Sequence, residues 1–320
     1  MTGLPAWIAA ALQSKLENVS RNDLRERAQA ISNAYRAGAS SDLIRSDLDA
    51  LAYAVVRLPA TYAAVRAALT HTMEMVPDFA PQSLVDIGCG PGTAAWAALD
   101  AWRSVSHATL IDRNPRLLEL ARQLRHPHQG GIDFVQGEMA KTAGTTPKAD
   151  VVMASYALTE IPAAALSGIL GALWDRAGKM LVIVEPGTVA GFQRILAYRD
   201  LLLAQGARIL APCSHESLCP LVSNERWCHF GVRLPRSRDH LIVKDADVPF
   251  EDEKFSYLVA ARDLGSAWGH RVLATPRVSK AAVTLSLCAP ERVDERSIER
   301  RQKDAYRAAK RLDWGDLIDL

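Results

Sequence analysis

The chain has 320 residues, of which 49% are hydrophobic and 23% charged, and its formal net charge is +2. This composition is that of an ordinary globular protein and excludes a disordered, collagen-like or coiled-coil chain. The length allows two domains, or one large domain with an arm. The near balance of 38 basic and 36 acidic residues gives no indication for or against nucleic-acid binding.

The beginning of the sequence shows no pattern of a membrane span or a targeting peptide. Its longest uncharged apolar run, residues 4–12, is far shorter than the about 20 residues that a bilayer requires. No Lys or Arg precedes Lys15, so the positive region of a secretory or transit peptide is missing. We therefore expect a cytoplasmic protein with no membrane partner. Five cysteines in a chain of this length do not indicate a disulfide scaffold.

Residues 1–80 are rich in Ala, Leu and Arg, and their apolar residues recur at helical spacing, as at Leu51, Val55 and Leu58. Prolines punctuate the end of this region, the first of them at Pro59. The pattern predicts a helical N-terminal arm of several helices. Its expected role is packing against the following domain or covering it as a lid.

From residue 81 to residue 206, short apolar runs alternate with helical stretches. The predicted strands are at 83–87, 108–111, 132–135, 151–154 and 180–185. The predicted helices are at 94–102, 115–125, 163–174 and 190–205. This alternation is typical of a parallel, doubly wound α/β sheet. Residues 207–320 form a third predicted region, which contains cysteines, the terminal strands of the sheet and a basic C-terminal helix at 295–312. Further β patterns in it are at 271–274 and 282–287.

A glycine loop, Asp86-Ile87-Gly88-Cys89-Gly90-Pro91-Gly92, follows the first predicted strand. Glycines there allow a tight turn and close approach of the backbone to a ligand. The third glycine comes one position earlier than in the dinucleotide fingerprint, which disfavours NAD and FAD. Asp86 suits an ammonium group, and a carboxylate at Asp112, after the second strand, can accept hydrogen bonds from both ribose hydroxyls of an adenosine.

The loop and Asp112 together resemble the signature of class I S-adenosylmethionine-dependent methyltransferases, which implies a Rossmann-like fold. By this resemblance the loop contacts the methionine moiety and Asp112 contacts the ribose. Two weaker placements come from the ends of the third and fourth strands. The expected cofactor contacts are Asp86, Gly88, Gly90, Gly92, Asp112, Glu138 and Ser155.

No catalytic residue is predicted. The fourth strand ends in Ser155-Tyr156-Ala157-Leu158, without the Asn/Asp-Pro-Pro-aromatic motif of exocyclic amino methyltransferases. Cytosine-C5 chemistry needs a cysteine nucleophile near the fourth or fifth strand, and before position 213 the sequence has Cys89 alone. Methyl transfer by proximity and orientation does not need such a group, so activity stays possible.

Four further cysteines lie in the last third of the chain, at Cys213, Cys219, Cys228 and Cys288. Zinc sites usually contain closely spaced C-x2–4-C pairs, and none is present. Four thiolates from loosely spaced loops fit a 4Fe-4S cluster better, although the softness of thiolate also admits zinc. His215 and His229 are alternative ligands, and four buried structural cysteines are the alternative to any metal site.

Motifs at residues 211–220, 227–230, 233–238 and 250–257 resemble, in order, those of the Rsm-twenty-two family. These are methyltransferase-like proteins associated with the small subunit of mitochondrial ribosomes, with bacterial relatives. The resemblance implies a class I methyltransferase domain, a four-cysteine iron–sulfur site and a role in small-subunit assembly. Because no presequence is evident, the chain is identified as a bacterial member acting at the cytoplasmic ribosome.

Two groups of basic residues are the candidate contacts to 16S rRNA, because Arg and Lys match phosphate oxygens. The first group flanks Pro235 in a predicted exposed turn, and the second lies on one face of the predicted helix at 295–312. The predicted RNA-binding residues are Arg233, Arg236, Arg238, Arg300, Lys303 and Arg307. An ordinary solvated surface is the alternative for both groups.

The sequence therefore predicts a monomeric, S-adenosylmethionine-dependent methyltransferase-like protein that carries an iron–sulfur cluster. Its expected target is the small ribosomal subunit, through rRNA methylation or assembly. A non-catalytic assembly factor that binds S-adenosylmethionine and an iron–sulfur cluster is the alternative. A small-molecule methyltransferase with a zinc site is a third hypothesis.

Overall fold

The computed structural model describes residues 2–36, 41–125, 127, 130–222, 226–265 and 269–319. The helices in this part of the chain are α1 (Ala6–Leu16), α2 (Arg21–Arg36), α3 (Asp47–Met75), α4 (Thr93–Ala101), α5 (Pro115–Gln123), α6 (Met139–Thr142), α7 (Ala163–Arg176), α8 (Val189–Ala204), α9 (Arg238–Lys244) and α10 (Lys303–Ala309). The strands are β1 (Ser83–Ile87), β2 (His107–Asp112), β3 (Gly131–Gln136), β4 (Ala149–Ser155), β5 (Ala177–Pro186), β6 (Arg208–Ala211), β7 (Phe230–Pro235), β8 (Phe250–Ala261), β9 (His270–Val272), β10 (Arg277–Val278), β11 (Ala282–Ala289), β12 (Arg292–Glu299) and β13 (Leu317–Ile318).

The chain divides into two compact units that interleave along the sequence. The first consists of Met1–Leu69, Ala80–Val184 and Val232–Glu253. The second consists of Thr70–Phe79, Glu185–Gly231 and Lys254–Leu320. The predicted domains at 1–80, 81–206 and 207–320 are contiguous instead. Most of the arm therefore belongs to the same compact unit as the glycine loop.

The first unit contains parallel strands in the order β3-β2-β1-β4-β5. β1 pairs with β2 from Ser83↔His107 to Ile87↔Ile111 and with β4 from Leu84↔Val151 to Asp86↔Met153. Most residues of β1, β2 and β4 are buried, as expected for parallel strands with both faces covered. The strand order reverses beside β1, and in such sheets ligands bind at the carboxyl ends of the strands at this point. The predicted doubly wound parallel sheet is confirmed.

Local signals explain why four of the predicted helices begin within one residue of their expected starts. The Asn114 side chain accepts hydrogen bonds from the N–H groups of Arg116 and Leu117 and so caps α5, whose first residue is Pro115. In α8 the Thr188 hydroxyl accepts the N–H of Gly191 in the same way. These caps satisfy donors that the first turn of a helix leaves unpaired.

The arm is helical as predicted, but α3 does not end at Pro59. It continues through this residue to Met75, and Leu58 and Tyr62 on either side are 1% and 4% exposed. A proline inside a helix removes one hydrogen bond and costs about 3 kcal/mol, which burial of these side chains offsets here. α3 is also long and apolar enough to cross a membrane, but 61% of its most apolar stretch is buried within the protein, as in the core helix of a globular domain.

The second unit contains antiparallel pairs. β6 pairs with β8, from Arg208↔Ala261 to Ala211↔Val259, and β11 pairs with β12 over eight residue pairs, from Ala282↔Glu299 to Ala289↔Arg292. β9 joins β11 to β13. A separate apolar core beneath this small sheet consists of Val272, Val283, Leu285, Leu287, Ile298 and Ala309.

The predicted helix at 295–312 is wrong over its first half. Residues up to Glu299 belong to β12, a 3-10 turn covers Arg300–Gln302, and the helix α10 is limited to Lys303–Ala309. Charges at a spacing of three and four residues resemble a solvated helix. Pairing with the buried strand β11 overrides that local preference, because Ile298 fills the core of the small sheet.

Two glycines in helices differ in how closely neighbouring atoms pack against them. A Cβ at Gly191 would lie 1.9 Å from the Pro186 carbonyl oxygen, whereas a Cβ at exposed Gly168 of α7 meets nothing within 4 Å. We expect Gly191→Ala to lower the free energy of unfolding by about 1–3 kcal/mol or more through steric overlap. Gly168→Ala should raise it by about 0.5–1 kcal/mol by reducing the entropy of the unfolded chain.

Urea unfolding followed by circular dichroism measures both glycine variants under the same conditions. Equal stability of the Gly168 and Gly191 variants would contradict the packing described for the start of α8.

Candidate functional site

A cavity of about 330 Å³ lies at the carboxyl ends of β1, β2 and β4 in the first unit. This is the position at which ligands bind in doubly wound sheets. Of the predicted cofactor contacts, it is lined by Asp86, Gly88, Gly90, Asp112, Glu138 and Ser155. Its volume is within the range of small-molecule sites in proteins, which begins at about 300 Å³. The structure thus brings six of the seven predicted cofactor contacts together around one cavity.

The glycine loop has the left-handed backbone that its sequence requires. Gly88 has φ +71° and Gly90 has φ +54°. A Cβ at Gly88 would lie 2.4 Å from the Ala157 Cβ, whereas a Cβ at Gly90 meets nothing within 4 Å and would project into open space. Gly90 therefore allows a ligand to approach the backbone.

Gly92 is the predicted cofactor contact that the cavity lining does not include. Gly92 directly precedes α4 and has φ +81°. A Cβ at this residue would lie 2.5 Å from the Trp96 ring. The Trp96 indole donates to the Pro91 carbonyl over 2.9 Å. Gly92 therefore shapes the loop through close packing against Trp96.

Asp112 holds the glycine loop and the end of β2 together. Its carboxylate accepts the N–H of Gly90 and the N–H of Asn114, each over 2.7 Å, and the residue is 7% exposed. Burial raises the pKa of Asp112, although these two N–H groups oppose the shift. The Asn114 amide in turn donates to the carbonyls of Ser41 (2.8 Å) and Ile44 (3.0 Å), which connects the site to the arm.

Asp86 is fully buried at the end of β1. One carboxylate oxygen, Oδ2, accepts the N–H of Ala95 over 3.0 Å, and the other, Oδ1, has no hydrogen-bond partner among the described residues. Burial raises the pKa of Asp86 to about 7. An unpaired buried carboxylate oxygen in a cavity wall is stabilised by a ligand that brings a donor or a positive charge.

Ser155 and Glu138 differ in how well they are placed. The Ser155 hydroxyl is buried and has no hydrogen-bond partner in the part of the chain that the structure describes. Glu138 is the residue before α6, is exposed and forms an ion pair with Lys141 over 2.6 Å. Ser155 is therefore available to a ligand, whereas Glu138 already has a partner.

The arm contributes cavity residues that the sequence did not identify. Tyr35 of α2 and Tyr53 and Thr61 of α3 line the cavity, and the two tyrosine rings lie 6.1 Å apart. Desolvation raises the pKa of both tyrosines, so they stay neutral. The helical pattern predicted an arm that packs against the following domain or covers it as a lid, but no spacing in it identifies the residues that face the cavity.

A second missed feature is a network at one side of the same cavity. The Arg57 Nη2 donates to Glu253 Oε1 over 3.1 Å, and the Tyr156 hydroxyl donates to the same oxygen over 2.9 Å. The Arg57 guanidinium carbon lies 5.6 Å from the centre of the Tyr156 ring. Tyr156, at φ +55°, has a left-handed backbone that is strained for a residue with a Cβ. Arg57 and Tyr156 both line the cavity.

The second unit contains a smaller cavity of about 30 Å³, and all four predicted metal ligands, Cys213, Cys219, Cys228 and Cys288, line it. All four are free thiols. The Cys288 sulfur lies 3.5 Å from Nε2 of His215, which lines the same cavity. Within the described residues, no group of three or more His, Cys, Asp or Glu side chains has metal-binding geometry. The predicted cysteines are thus brought together, while the metal site itself stays a prediction.

The cavity that contains the thiols is also lined by buried positive charge. Burial raises the pKa of Cys219, Cys228 and Cys288, and the neighbouring Cys213 raises each further. Two arginines that are 2% and 1% exposed, Arg199 and Arg271, line the same cavity.

Both arginines donate to backbone carbonyls. Arg271 donates to Pro212 (2.7 Å) and to Gly315 (2.8 Å), and Arg199 donates to His215 (3.1 Å) and to Ser217 (2.8 Å). The single carboxylate within salt-bridge distance of Arg199 among the described residues is the solvated Asp200, at 3.7 Å. The cavity is therefore lined by buried cations and by thiols that stay neutral because burial raises their pKa values.

The segment with the first basic group is exposed at Pro235, as predicted, but it is the end of β7 and a short link to α9. Arg233 lies on β7, donates to both carboxylate oxygens of Asp252 over 2.7 Å and stacks 4.0 Å from the Phe250 ring centre. The Arg236 side chain is 11% exposed and forms an ion pair with Glu251. Strand pairing and these ion pairs order the segment. Arg238, the first residue of α9, is exposed.

The second basic group is divided over two elements rather than one helix face. Arg300 lies in the 3-10 turn, and Lys303 and Arg307 lie on α10. All three are exposed, and Arg307 forms an ion pair with Asp304 over 3.6 Å. In the described part of the chain, neither Arg300 nor Lys303 has an acidic partner.

A family model described as mitochondrial small ribosomal subunit Rsm22 matches residues 47–319. The human protein named ribosome assembly protein METTL17, mitochondrial, is 30% identical over 294 residues, which cover 84% of this chain and 62% of that protein. In Schizosaccharomyces pombe, the Rsm22-cox11 tandem protein 2, mitochondrial, is 26% identical over 330 residues, covering 86% of this chain and 44% of that protein. The chain thus spans less than two thirds of the length of these relatives.

Solved structures with a similar fold include human N-acetylserotonin methyltransferase in complex with SAM, at 15% identity and a TM-score of 0.44, covering 79% of this chain and 70% of that one. Magnesium protoporphyrin IX methyltransferase from Synechocystis PCC 6803 with bound SAM has 14% identity and a TM-score of 0.42, covering 72% of this chain and 90% of that one. The strand order agrees with the predicted class I methyltransferase fold, which is confirmed. Bacterial origin and a cytoplasmic location stay predictions, since the relatives named above are mitochondrial proteins.

Proposed function

The chain belongs to the Rsm22 family, and from this premise we propose that it is an assembly protein of the small ribosomal subunit that binds S-adenosylmethionine. One observation carries the cofactor part of the proposal. Two buried carboxylates, Asp86 and Asp112, line one cavity beside a glycine loop that is open to a ligand. The relatives named for ribosome assembly and for the small subunit support the ribosomal part.

The residues present fit S-adenosylmethionine, which supplies an activated methyl group when it is bound. Its ammonium and sulfonium are positive, and Asp86 offers an unpaired buried carboxylate oxygen. Asp112 accepts two N–H groups and keeps further lone pairs for ribose hydroxyls. Gly90 leaves open space over the loop. The cationic groups and the ribose of the ligand thus have chemically matched groups in the cavity wall.

The cavity wall disfavours methylation of a pyrimidine C5 carbon. That chemistry requires a thiolate, and burial raises the pKa of Cys89 well above its usual range, with Asp112 and Asp86 acting in the same direction. The Tyr156 hydroxyl, another group in the cavity wall, donates its hydrogen bond to Glu253. Methylation of another rRNA atom by proximity alone stays compatible with the site.

We infer a metal–thiolate centre, of the 4Fe-4S type, in the second unit. The thiols of Cys219, Cys228 and Cys288 are neutral without a metal, because burial raises their pKa values. A metal centre would bind all four cysteines as thiolates and hold their four negative charges together in one cavity. With four thiolate ligands, either a 4Fe-4S cluster or zinc would leave a net negative charge, and buried Arg199 and Arg271 would compensate it. Without such a centre the two buried guanidinium groups stand beside neutral thiols, an arrangement that costs free energy.

We also infer that Arg300 and Lys303 contact rRNA. Both are exposed and lack an acidic partner among the described residues, so their charges are free for phosphate oxygens. Arg233 and Arg236 already have carboxylate partners and are weaker candidates. The RNA contacts of Arg238 and Arg307 stay predictions. Arg238 is exposed at the start of α9, and Arg307 forms an ion pair with the solvated Asp304.

The pH dependence of cofactor affinity tests the role of Asp86. In the free protein its pKa is about 7, and a cationic ligand binds its ionised form, so affinity should rise with pH. Isothermal titration with S-adenosylmethionine from pH 5.5 to 7 should show a gain of up to about tenfold per pH unit, levelling near neutrality.

The Asp86→Asn variant is the control, since its amide does not titrate in this window and its affinity should be lower and almost independent of pH. Affinity that is independent of pH in the unsubstituted protein would contradict contact between Asp86 and a cationic group of the ligand.

Metal analysis of anaerobically purified protein tests the thiolate centre. We expect about four iron and four acid-labile sulfide per chain for a 4Fe-4S cluster. Substituting Ser for any one of Cys213, Cys219, Cys228 or Cys288 should lower both contents and destabilise the second unit, because ligand binding there contributes folding free energy. Cys89→Ser, a buried thiol in the first unit, is the matched control and should keep both contents. Stoichiometric zinc without sulfide would overturn the iron–sulfur assignment.

Salt dependence of binding to 16S rRNA fragments tests the exposed cations. The variant Arg300→Gln with Lys303→Gln should bind more weakly at about 100 mM salt, and its log–log salt slope should fall by about two units. The control pair Arg277→Gln with Arg292→Gln has the same change in charge, but both arginines have acidic partners, Glu295 and Asp294. The same loss of slope in both double variants would show a general charge effect and exclude a specific contact.

A further inference from the structure

Carboxylates outnumber cations in the wall of the cofactor cavity. The acidic residues that line it are Asp86, Asp112, Glu138 and Glu160, and the basic ones among the described residues are Arg57 and Arg113. This excess of negative charge suits the ammonium and sulfonium of S-adenosylmethionine but repels the carboxylate that the same ligand carries. The ligand carboxylate therefore needs one of the two arginines.

Arg113 is committed to other partners near the ribose acid. Its guanidinium donates to Asp42 over 2.7 Å and to the Ser41 hydroxyl over 3.3 Å, and it directly follows Asp112 in the chain. It therefore lies at the end of the cavity expected to hold the ribose, and much of its charge is balanced by Asp42.

The guanidinium of Arg57 has N–H groups that are available to a ligand. It donates one Nη2 hydrogen to Glu253, and its remaining N–H groups make no hydrogen bond to described residues. The side chain is 34% exposed and lines the cavity, as does Thr61 one turn further along α3. An arginine fork with free donors in a cavity wall matches a carboxylate in geometry and charge.

Glu253 and Tyr156 fix where this fork points. The Glu253 side chain is 12% exposed, and one of its oxygens accepts hydrogen bonds from both Arg57 and the Tyr156 hydroxyl. The Tyr156 N–H donates to the Val184 carbonyl over 2.7 Å, which holds its left-handed backbone at the end of β4. The Arg57 guanidinium is thus held by Glu253 and lies over the Tyr156 ring. A side chain that is already ordered in this way loses less rotamer entropy when a ligand binds.

We propose that Arg57 binds the carboxylate of the ligand's amino-acid portion, with Glu253 and Tyr156 as positioning residues for its guanidinium. The assignment rests on the proposed function, that this cavity binds S-adenosylmethionine. It makes the N-terminal arm part of the binding site, because α3 supplies the residue that recognises the amino-acid end of the ligand.

Two ligands that differ by the carboxylate alone isolate this contact. Isothermal titration at pH 7.5 compares S-adenosylmethionine with decarboxylated S-adenosylmethionine, which keeps the amine, the sulfonium and the adenosine. Arg57→Gln should weaken S-adenosylmethionine binding by about ten- to a hundredfold, the range for a charge-assisted hydrogen bond. Binding of the decarboxylated ligand should change by less than about threefold, and it also reports that the variant is folded.

Matched variants separate the alternatives. Arg66→Gln removes a positive charge from the same helix outside the cavity lining and should keep the preference for the carboxylated ligand. Glu253→Gln should reduce that preference several-fold and leave the decarboxylated ligand unaffected, which a merely structural role would not do. If Arg57→Gln binds neither ligand, Arg57→Lys decides: weaker binding of S-adenosylmethionine alone supports the assignment, and equal loss of both ligands overturns it.

Unchanged S-adenosylmethionine affinity in Arg57→Gln would also overturn the assignment of Arg57, while the proposed cofactor site would stand. Absence of binding of either ligand to the unsubstituted protein is a different result, and it would overturn the proposed cofactor function together with this assignment.

Discussion

The cofactor cavity depends on the buried carboxylate of Asp112. Its two oxygens accept the N–H groups of Gly90 and Asn114, so one side chain fixes the glycine loop against the end of β2. Through the Asn114 amide, the same group connects to the carbonyls of Ser41 and Ile44, between α2 and α3 of the arm. A buried carboxylate is stable only with such donors, and the donors in turn order three separate segments around the cavity. The cavity is therefore already organised before a ligand binds.

A comparable electrostatic constraint applies in the second unit. Four thiols and two buried arginines share one small cavity, and the arginines donate to carbonyls such as Pro212 and Gly315. Removing two guanidinium groups from water costs free energy that carbonyl hydrogen bonds recover in part. An anionic metal–thiolate centre would recover much more of this free energy, because its negative charge would lie in the same cavity as both guanidinium groups.

The sequence was sufficient for the doubly wound sheet and for most of the cofactor contacts, because their signals are local. Apolar runs of strand length and a glycine loop each depend on residues close in the chain. The strand β12 could not be predicted in this way, since its charges repeat at helical spacing while its structure is set by pairing with β11. Arg57 could not be identified either, because its partner Glu253 is 196 residues away.

A crystal structure of the protein with S-adenosylhomocysteine bound is the most direct test of the central claim, that the cavity over β1, β2 and β4 is a cofactor site. We expect ligand density along the glycine loop, with both ribose hydroxyls within hydrogen-bond distance, about 3 Å, of the Asp112 carboxylate. We also expect the amine of the ligand near Asp86. Density for the ligand elsewhere on the molecule, with the cavity side chains unchanged and no ligand among them, would contradict this claim.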